Sequence, residues 1–352
     1  MKRLYFIFFL IVGLFHTKAQ DTQFSQFNEH HSLLNPALIG ANDNLRIVGG
    51  QRNQWKAVGS PFSTYGLGVE VRPPGRKKKT AGRYSSRRGK KVGMLGGGLS
   101  VYSDNSADGT FKQLQANLAL ATYVPTGEKS FFSAAVQGGF SQYTIDGGNL
   151  LYPSQFDGTG YTSSIASGET WGGRTLNTND LAAGIIWSYG HNVRGFTDQR
   201  EVKFKIGFAA YHLLPTNLYY INRSKNVLLP RYCGHLEVIH SLGNMNYSLA
   251  STLMYQMQGP YTQITGGSML RFYSRHDTKY TGNLKRTTVG FGLYYRVKDA
   301  LISTLLIEWH EQFSTGISYD ISMSKLRYAT YRGGLEISLR YNPPGAFLYQ
   351  RR

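Results

Sequence analysis

Val202-Lys203-Phe204-Lys205-Ile206-Gly207-Phe208-Ala209-Ala210 is the stretch that decides the fold. Val202, Phe204, Ile206, Phe208 and Ala210 share one parity, and Lys203, Lys205, Gly207 and Ala209 share the other. An extended chain sends successive side chains to opposite faces, so a strand separates the lysines from the apolar residues. A helix would smear them through its apolar stripe. The pattern recurs on either side. Leu114, Ala116, Leu118, Leu120, Thr122 and Val124 oppose Gln113, Gln115 and Asn117. Val289, Phe291, Leu293, Tyr295 and Val297 oppose Gly290, Gly292, Arg296 and Lys298. Near the end, Leu335, Ile337, Leu339 and Tyr341 oppose Glu336, Ser338 and Arg340.

Such strands suit two architectures. A soluble sandwich turns the apolar face inward, and a membrane barrel turns it toward lipid with the charges in a wet lumen. Length favours the barrel, because many of the segments run to about ten residues, as a tilted membrane crossing needs, where globular strands average about five or six. About fourteen strands are expected, near 44–51, 62–72, 92–103, 112–125, 130–144, 180–189, 202–211, 231–242, 246–257, 260–274, 286–297, 301–310, 315–322 and 334–341. All 11 prolines fall outside these interiors, and a closed barrel has only central strands, which exclude proline. Tyr102, Tyr123, Tyr143, Tyr189, Tyr211, Tyr255, Tyr273 and Tyr294 sit toward strand ends and are expected to form an interfacial girdle.

Composition agrees. The 352 residues include 41 Gly, 25 Tyr and 19 Phe, with 17% charged residues. Cys233 is the only cysteine, which excludes a disulfide framework and a thiolate zinc site. At the N-terminus, Lys2 and Arg3 precede an apolar run, Leu4 to Phe15, and Thr17 and Ala19 offer small residues before a cut ahead of Gln20. This is the layout of a secretory signal peptide over 1–19, and the run is short for a spanning helix, which needs about 20 residues. Its removal takes three basic residues from the 39, leaving 36 against 20 acidic, a net +16. Residues 20–352 then form one all-β domain: a single antiparallel transmembrane β-barrel, a multi-pass protein of the outer membrane, with a short periplasmic N-terminal segment.

Three connections stand out. Arg72–Lys91 is strongly basic, with Arg76, Lys77, Lys78, Lys79, Arg87, Arg88, Lys90 and Lys91. It suits anionic headgroups, lipopolysaccharide or an acidic protein, or is simply a solvated loop. Nucleic acid is not expected, since Tyr84 is its only aromatic and stacking aromatics are what single strands require. Thr144–Asp180 is rich in Gly, Ser, Thr and Asn, and His212–Pro230 carries Leu213, Leu214, Leu218, Tyr219 and Tyr220. Counting strands places Arg72–Lys91 in the periplasm and 144–180 outside the cell.

Several segments resemble the PorP/SprF family of type IX secretion and gliding proteins. Phe24-Ser25-Gln26-Phe27, then Leu34-Asn35-Pro36-Ala37 and Gly40, resemble its opening motif. Arg52, Gln54 and Trp55 resemble its Arg-x-Gln-Trp element, and His212, Leu213 and Pro215 its His-Leu-x-x-Pro loop. Gly316 to Asp320, including Tyr319, and Gly334 to Tyr341, including Glu336, are similar to its last two strands. The basic insertion, the long 144–180 connection and the tail beyond Tyr341 depart from the pattern. The resemblance implies outer-membrane lipid and type IX components as partners, and a role in export or surface attachment of adhesins bearing a type B C-terminal domain.

The chemistry is otherwise sparse. Leu335, Ile337, Leu339 and Tyr341 suit a barrel-insertion signal or merely a last strand. Asp104, Asn105, Ser106, Asp108 and Gly109 resemble a calcium loop but lack its downstream Glu, so a turn is expected. Glu308, His310 and Glu311 read as a lumen-facing polar row. No nucleophile elbow, phosphate loop or zinc-protease motif occurs, so neither an enzyme nor a cofactor is expected. Two functions stay open: a partner or surface anchor for a secreted adhesin, and a channel whose lumen charges are Lys203, Lys205, Arg296, Lys298 and Arg340.

Overall fold

A computed structural model describes residues 21–41, 43–54, 61–73, 94–106, 109–127, 129–146, 150–168, 174–190, 202–215, 217–218, 226–242, 246–274, 287–310, 312–324 and 332–343. The expected signal peptide, Trp55, Asp108 and the basic residues from Arg76 to Lys91 lie outside them. Fourteen strands close into one antiparallel barrel. They are β1 Leu45–Gln54, β2 Phe62–Val71, β3 Met94–Ser106, β4 Phe111–Pro125, β5 Ser130–Ile145, β6 Arg174–Tyr189 and β7 Val202–Tyr211. After a two-residue ribbon, β8 Asn217–Leu218 with β9 Asn226–Val227, come β10 Arg231–Ser241, β11 Tyr247–Gln258, β12 Tyr261–Ser274 and β13 Thr287–Arg296. β14 Ala300–Trp309, β15 Phe313–Ser322 and β16 Arg332–Tyr341 complete the wall. β16 pairs with β1, Ile47 opposite Tyr341, so the wall's first and last strands meet at one rim. That is the terminal rim here, and the other is the loop rim, from which the connections after β5 and β7 leave.

Alternation sets the orientation. Along β13, Thr288, Gly290, Gly292, Tyr294 and Arg296 are buried, while Val289, Phe291, Leu293 and Tyr295 are exposed. Gln113, Gln115 and Asn117 of β4 turn inward, and Leu114, Leu118 and Leu120 outward. The apolar face is therefore the exterior and the polar face the lumen, as a membrane barrel requires. Among the described residues no helix is long and apolar enough to cross a membrane.

Three expectations need correcting. Six of the eight strand-end tyrosines, Tyr102, Tyr123, Tyr143, Tyr211, Tyr273 and Tyr294, are buried inside rather than set in an interfacial girdle; only Tyr189 and Tyr255 face out. Their hydroxyls and rings are held in the lumen, as Tyr211 Oη donating to the Ser32 carbonyl (3.1 Å) illustrates. Lys298 does not line the lumen: it is exposed in the β13–β14 turn at φ 62°, where the tight hairpin, rather than strand parity, aims the side chain. The third is the N-terminal segment, expected to be periplasmic: its described residues from 22 to 41 pack inside the barrel against the inner wall. In addition, β6 starts at Arg174 instead of 180, because polar Arg174–Asn179 continues the ladder against Phe140–Ile145 of β5.

Candidate functional site

Residues 21–44 carry no strand. They comprise 3₁₀ turns at Phe27–Glu29 and Pro36–Leu38 and one helical turn at His31–Leu34. Phe24, Phe27, Leu34, Ala37, Leu38 and Ile39 are buried, and their partners come from the wall's inner face. The segment descends the whole barrel as a plug, from Asp21 at the loop rim to Asn44 at the terminal rim, and contacts the wall at four levels.

At the loop rim Asp21 accepts a hydrogen bond from His212 (2.7 Å) and pairs with Arg231 (3.2 Å). His212 also reaches Asp180 through Nδ1 (3.2 Å), and the Arg231 guanidinium stacks 4.1 Å over Tyr211. His212 holds this place at φ 56°, a left-handed conformation unusual outside glycine. Burial alone would lower the imidazole's pKa, but the Asp21 and Asp180 carboxylates overcome it and raise it to about 9. Burial likewise pushes Asp21 up, and His212 and Arg231 outweigh it and hold the carboxyl well below its ordinary range.

Beside this cluster, Glu336 accepts the backbone N–H of Ser25 (2.5 Å) and of Gln26 (2.9 Å) through its two oxygens. Asp320 accepts from Ser25 Oγ (2.7 Å) and from Arg52 Nη2 (3.0 Å), while Arg52 Nη1 donates to the Gln23 carbonyl (2.6 Å). Arg296 donates to Ser25 Oγ (3.1 Å). Two wall carboxylates thus satisfy plug donors, and two wall arginines compensate their charge, as burial of ions demands.

At mid-height sits Asn35, fully buried. Its Nδ2 lies within hydrogen-bond reach of the Ile185 carbonyl (3.0 Å), the Phe208 carbonyl (3.2 Å) and His235 Nε2 (3.1 Å). Its Oδ1 caps the following turn by accepting from Ala37 N–H (2.9 Å). The wall yields space for it: a Cβ added at Gly184 would overlap Asn35 Oδ1, and one at Gly207 would overlap His235. Pro36 opens the 3₁₀ turn, and Ser133 Oγ donates to the Ala37 carbonyl (3.0 Å).

Toward the terminal rim Arg46 bridges Glu29 (2.8 Å) and Glu70 (2.9 Å). Glu70 also receives His31 (2.9 Å) and Gly40 N–H (3.1 Å). Arg340 spans Glu29 (2.9 Å) and Glu308 (2.7 Å).

The residues singled out from sequence fall into distinct places. Asn35, Pro36, Ala37 and Gly40 belong to the plug, and Arg52, His212, Asp320 and Glu336 hold it. Gln54 is half-buried at the end of β1, Pro215 is exposed beyond β7, and Tyr319 faces outward. Leu335, Ile337 and Leu339 are exposed on the outer face of β16, and Tyr341 stacks on Phe313 at 4.5 Å. Of the lumen charges, Lys205 pairs with Glu237 (3.1 Å), Lys203 is half-buried, and Arg296 and Arg340 serve the plug. Asp21, Glu29, Arg46, Glu70, Asp180, Arg231 and His235 escaped sequence reading. For the wall residues Arg46, Glu70, Asp180, Arg231 and His235, polar and charged groups on lumen-facing parities were the available signal; Asp21 and Glu29 offered none. Among the described residues no cluster could hold a metal; Asp104 instead accepts from Thr64 Oγ1 (2.8 Å).

A closed fourteen-stranded barrel with an apolar exterior, a charged lumen and its own N-terminal plug is an outer-membrane β-barrel protein. The family model for the type IX secretion system membrane protein PorP/SprF matches residues 16–341, and the chain belongs to that family. It is a family of secretion membrane proteins, not of enzymes. None of the curated proteins compared with the chain matches it. Among solved structures, the Ralstonia pickettii toluene transporter TbuX is 9% identical with TM-score 0.48, covering 89% of this chain and 92% of its own. The Pseudomonas putida toluene transporter TodX is 10% identical with TM-score 0.44, covering 88% and 91%. The β domain of the Bordetella autotransporter BrkA is 9% identical with TM-score 0.35, covering 85% and 99%. At these scores the likenesses add nothing to what the strands establish.

Proposed function

We propose that the chain works as a closed barrel that holds a secreted partner at its loop rim: a surface anchor for an adhesin with a type B C-terminal domain, attached to the type IX secretion and gliding machinery. The observation that carries this reading is the plug. Residues 22–41 occupy the lumen and are hydrogen-bonded to the wall at every level, which leaves the rims rather than a pore as working surfaces. Exposed apolar residues support the loop rim, with Leu151, Phe156, Tyr161 and Ile165 on one connection and Leu213, Leu214 and Leu229 on the next. Contiguous exposed apolar groups on loops mark interaction sites. Family membership supports the type IX association. On this reading the loop rim is extracellular and the terminal rim, where β2 ends and β3 begins, faces the periplasm, so the Arg72–Lys91 connection is assigned to the periplasmic side.

The test is capture of a type B C-terminal domain from intact cells by the full-length barrel, compared with a variant whose residues 150–168 are replaced by a Gly-Ser linker. Loss of capture in the variant supports the anchor, and equal capture overturns the assignment to that loop. Steady open conductance of the unmodified protein in planar bilayers would favour the channel instead.

A further inference from the structure

The outer wall has a notch where β6, β7, β10 and β11 run side by side. At one level across these strands Ile185, Phe208, Gly234 and Tyr255 are register partners in turn. Gly234 therefore leaves a gap in a row of large outward side chains, and a Cβ placed on it meets nothing within 4 Å. Trp187, Phe208, Leu236, Leu253 and Tyr255 stand around the gap, which measures about 470 Å³. That is within the range of small-molecule pockets, about 300–1,000 Å³.

We propose that this notch is a binding site for an acyl chain of a membrane phospholipid, retained by the protein rather than exchanging with bulk lipid. Three features select that occupant. The notch lies mid-strand on the outward face, so hydrocarbon is the medium that meets it. It offers a polar ligand little: His235 turns its Nε2 inward to Asn35 at 3.1 Å, the Tyr255 hydroxyl is directed to Met257 Sδ at 4.0 Å, and the remaining walls are aromatic or aliphatic. A chain seated there touches protein on several sides, whereas lipid on the smooth wall touches on one. Dispersion gain scales with such contacts, and an unfilled gap forfeits them. This inference rests on the barrel's membrane setting and not on the adhesin role, so either can fail alone.

The experiment reconstitutes the full-length protein in phosphatidylethanolamine vesicles, re-extracts it into lipid-free detergent and counts bound lipid by native mass spectrometry. The wild type is expected to keep one phosphatidylethanolamine per chain. Gly234→Phe, which fills the gap from within, should lose that adduct. Gly138→Phe fills another outward glycine with open space around it and should keep it. If Gly234→Phe does not assemble, Leu236→Ala removes one wall and should weaken retention. A single-tryptophan protein retaining Trp187 gives a second readout: after re-extraction, a phospholipid brominated mid-chain should still quench it. Equal lipid in the wild type and Gly234→Phe, none in either, loss in Gly138→Phe, or an unquenched Trp187 would each overturn the proposal.

Discussion

Replacing Gly184 with alanine strikes the plug where its seat is tightest. The new Cβ would overlap Asn35 Oδ1 and come within 3.1 Å of Asn35 Cγ and Pro36 Cδ. Neither group can swing away, since Asn35 is fully buried and Pro36 is locked in a turn. The amide must leave, and with it the bonds to the Ile185 and Phe208 carbonyls and the cap on Ala37 N–H. Three neutral hydrogen bonds at about 0.5–1.5 kcal/mol each come to about 1.5–4.5 kcal/mol. That loss shifts the ratio of docked to undocked plug about 10- to 1,600-fold. Hydrogen exchange of the plug amides whose own bonds depend on docking, those of Leu34, Asn35, Leu38 and Ile39, reads the shift directly. Gly138→Ala is the control, an outward glycine with nothing within 4 Å. Unchanged protection in Gly184→Ala, or an equal loss in Gly138→Ala, would refute the claim that Asn35 latches the plug to β6 and β7.

Other perturbations probe other levels of the same assembly. Arg46→Met strips the shared partner from the Glu29 and Glu70 carboxylates, and breaking a buried ion pair costs about 3–5 kcal/mol; planar-bilayer recordings should show transient openings that the wild type lacks. The His212 imidazolium, raised from 6.5 to about 9, contributes stability that is complete below pH 6.5 and fades as the pH climbs through about 9. Exchange of amides near Asp21 should accordingly quicken between those values, and His212→Gln should flatten the profile. On the outer face, Ile337→Arg places a charge toward lipid at a cost of about 2–4 kcal/mol if near the midplane, measurable as a lower folded fraction on heat-modifiability gels, whereas Ile337→Leu keeps the exposed apolar face and should change little.

Strands were legible because each one declares its faces locally. Val202–Ala210 shows its two sides within nine residues, and the observed β7 runs from Val202 to Tyr211. The tyrosine error was avoidable by the same rule. Tyr123 shares parity with Gln113, Gln115 and Asn117, Tyr211 with Lys203 and Lys205, and Tyr294 with Arg296; each belongs to a polar face and points inward. Proximity to a strand end suggested a girdle, but parity outranks position along the strand. Lys298 fails for the opposite reason, since parity stops having meaning where the hairpin turns. The plug was illegible in principle. Residues 21–44 have no period, and their burial is defined by wall residues as remote as Glu336, 311 positions from Ser25. The motif residues were found as matches, and only the closed barrel brings Arg52, His212, Asp320 and Glu336 onto the segment that carries Asn35.

That convergence bears on what the plug is for. An apolar plug in an apolar lumen would serve if permanence were the aim, because buried ion pairs often stabilise no better than well-packed hydrophobic replacements. This lumen instead commits Arg46, Arg52, Arg296, Arg340, Glu70, Glu336 and Asp320 to holding the described residues 21–41 against it. Charges and directed hydrogen bonds define one register for the plug, as buried polar groups do in other assemblies where alternatives must be excluded. The register fixes where Asp21 sits, at His212 and Arg231, beside the connection that leaves β7 for the loop rim. If a partner binds the loop rim as proposed, moving that connection acts on His212 and Arg231, the groups that hold Asp21, and the plug in turn stiffens the rim. On that proposal, binding at the rim and order in the lumen would be two sides of one equilibrium, and by linkage each would affect the other to the same degree.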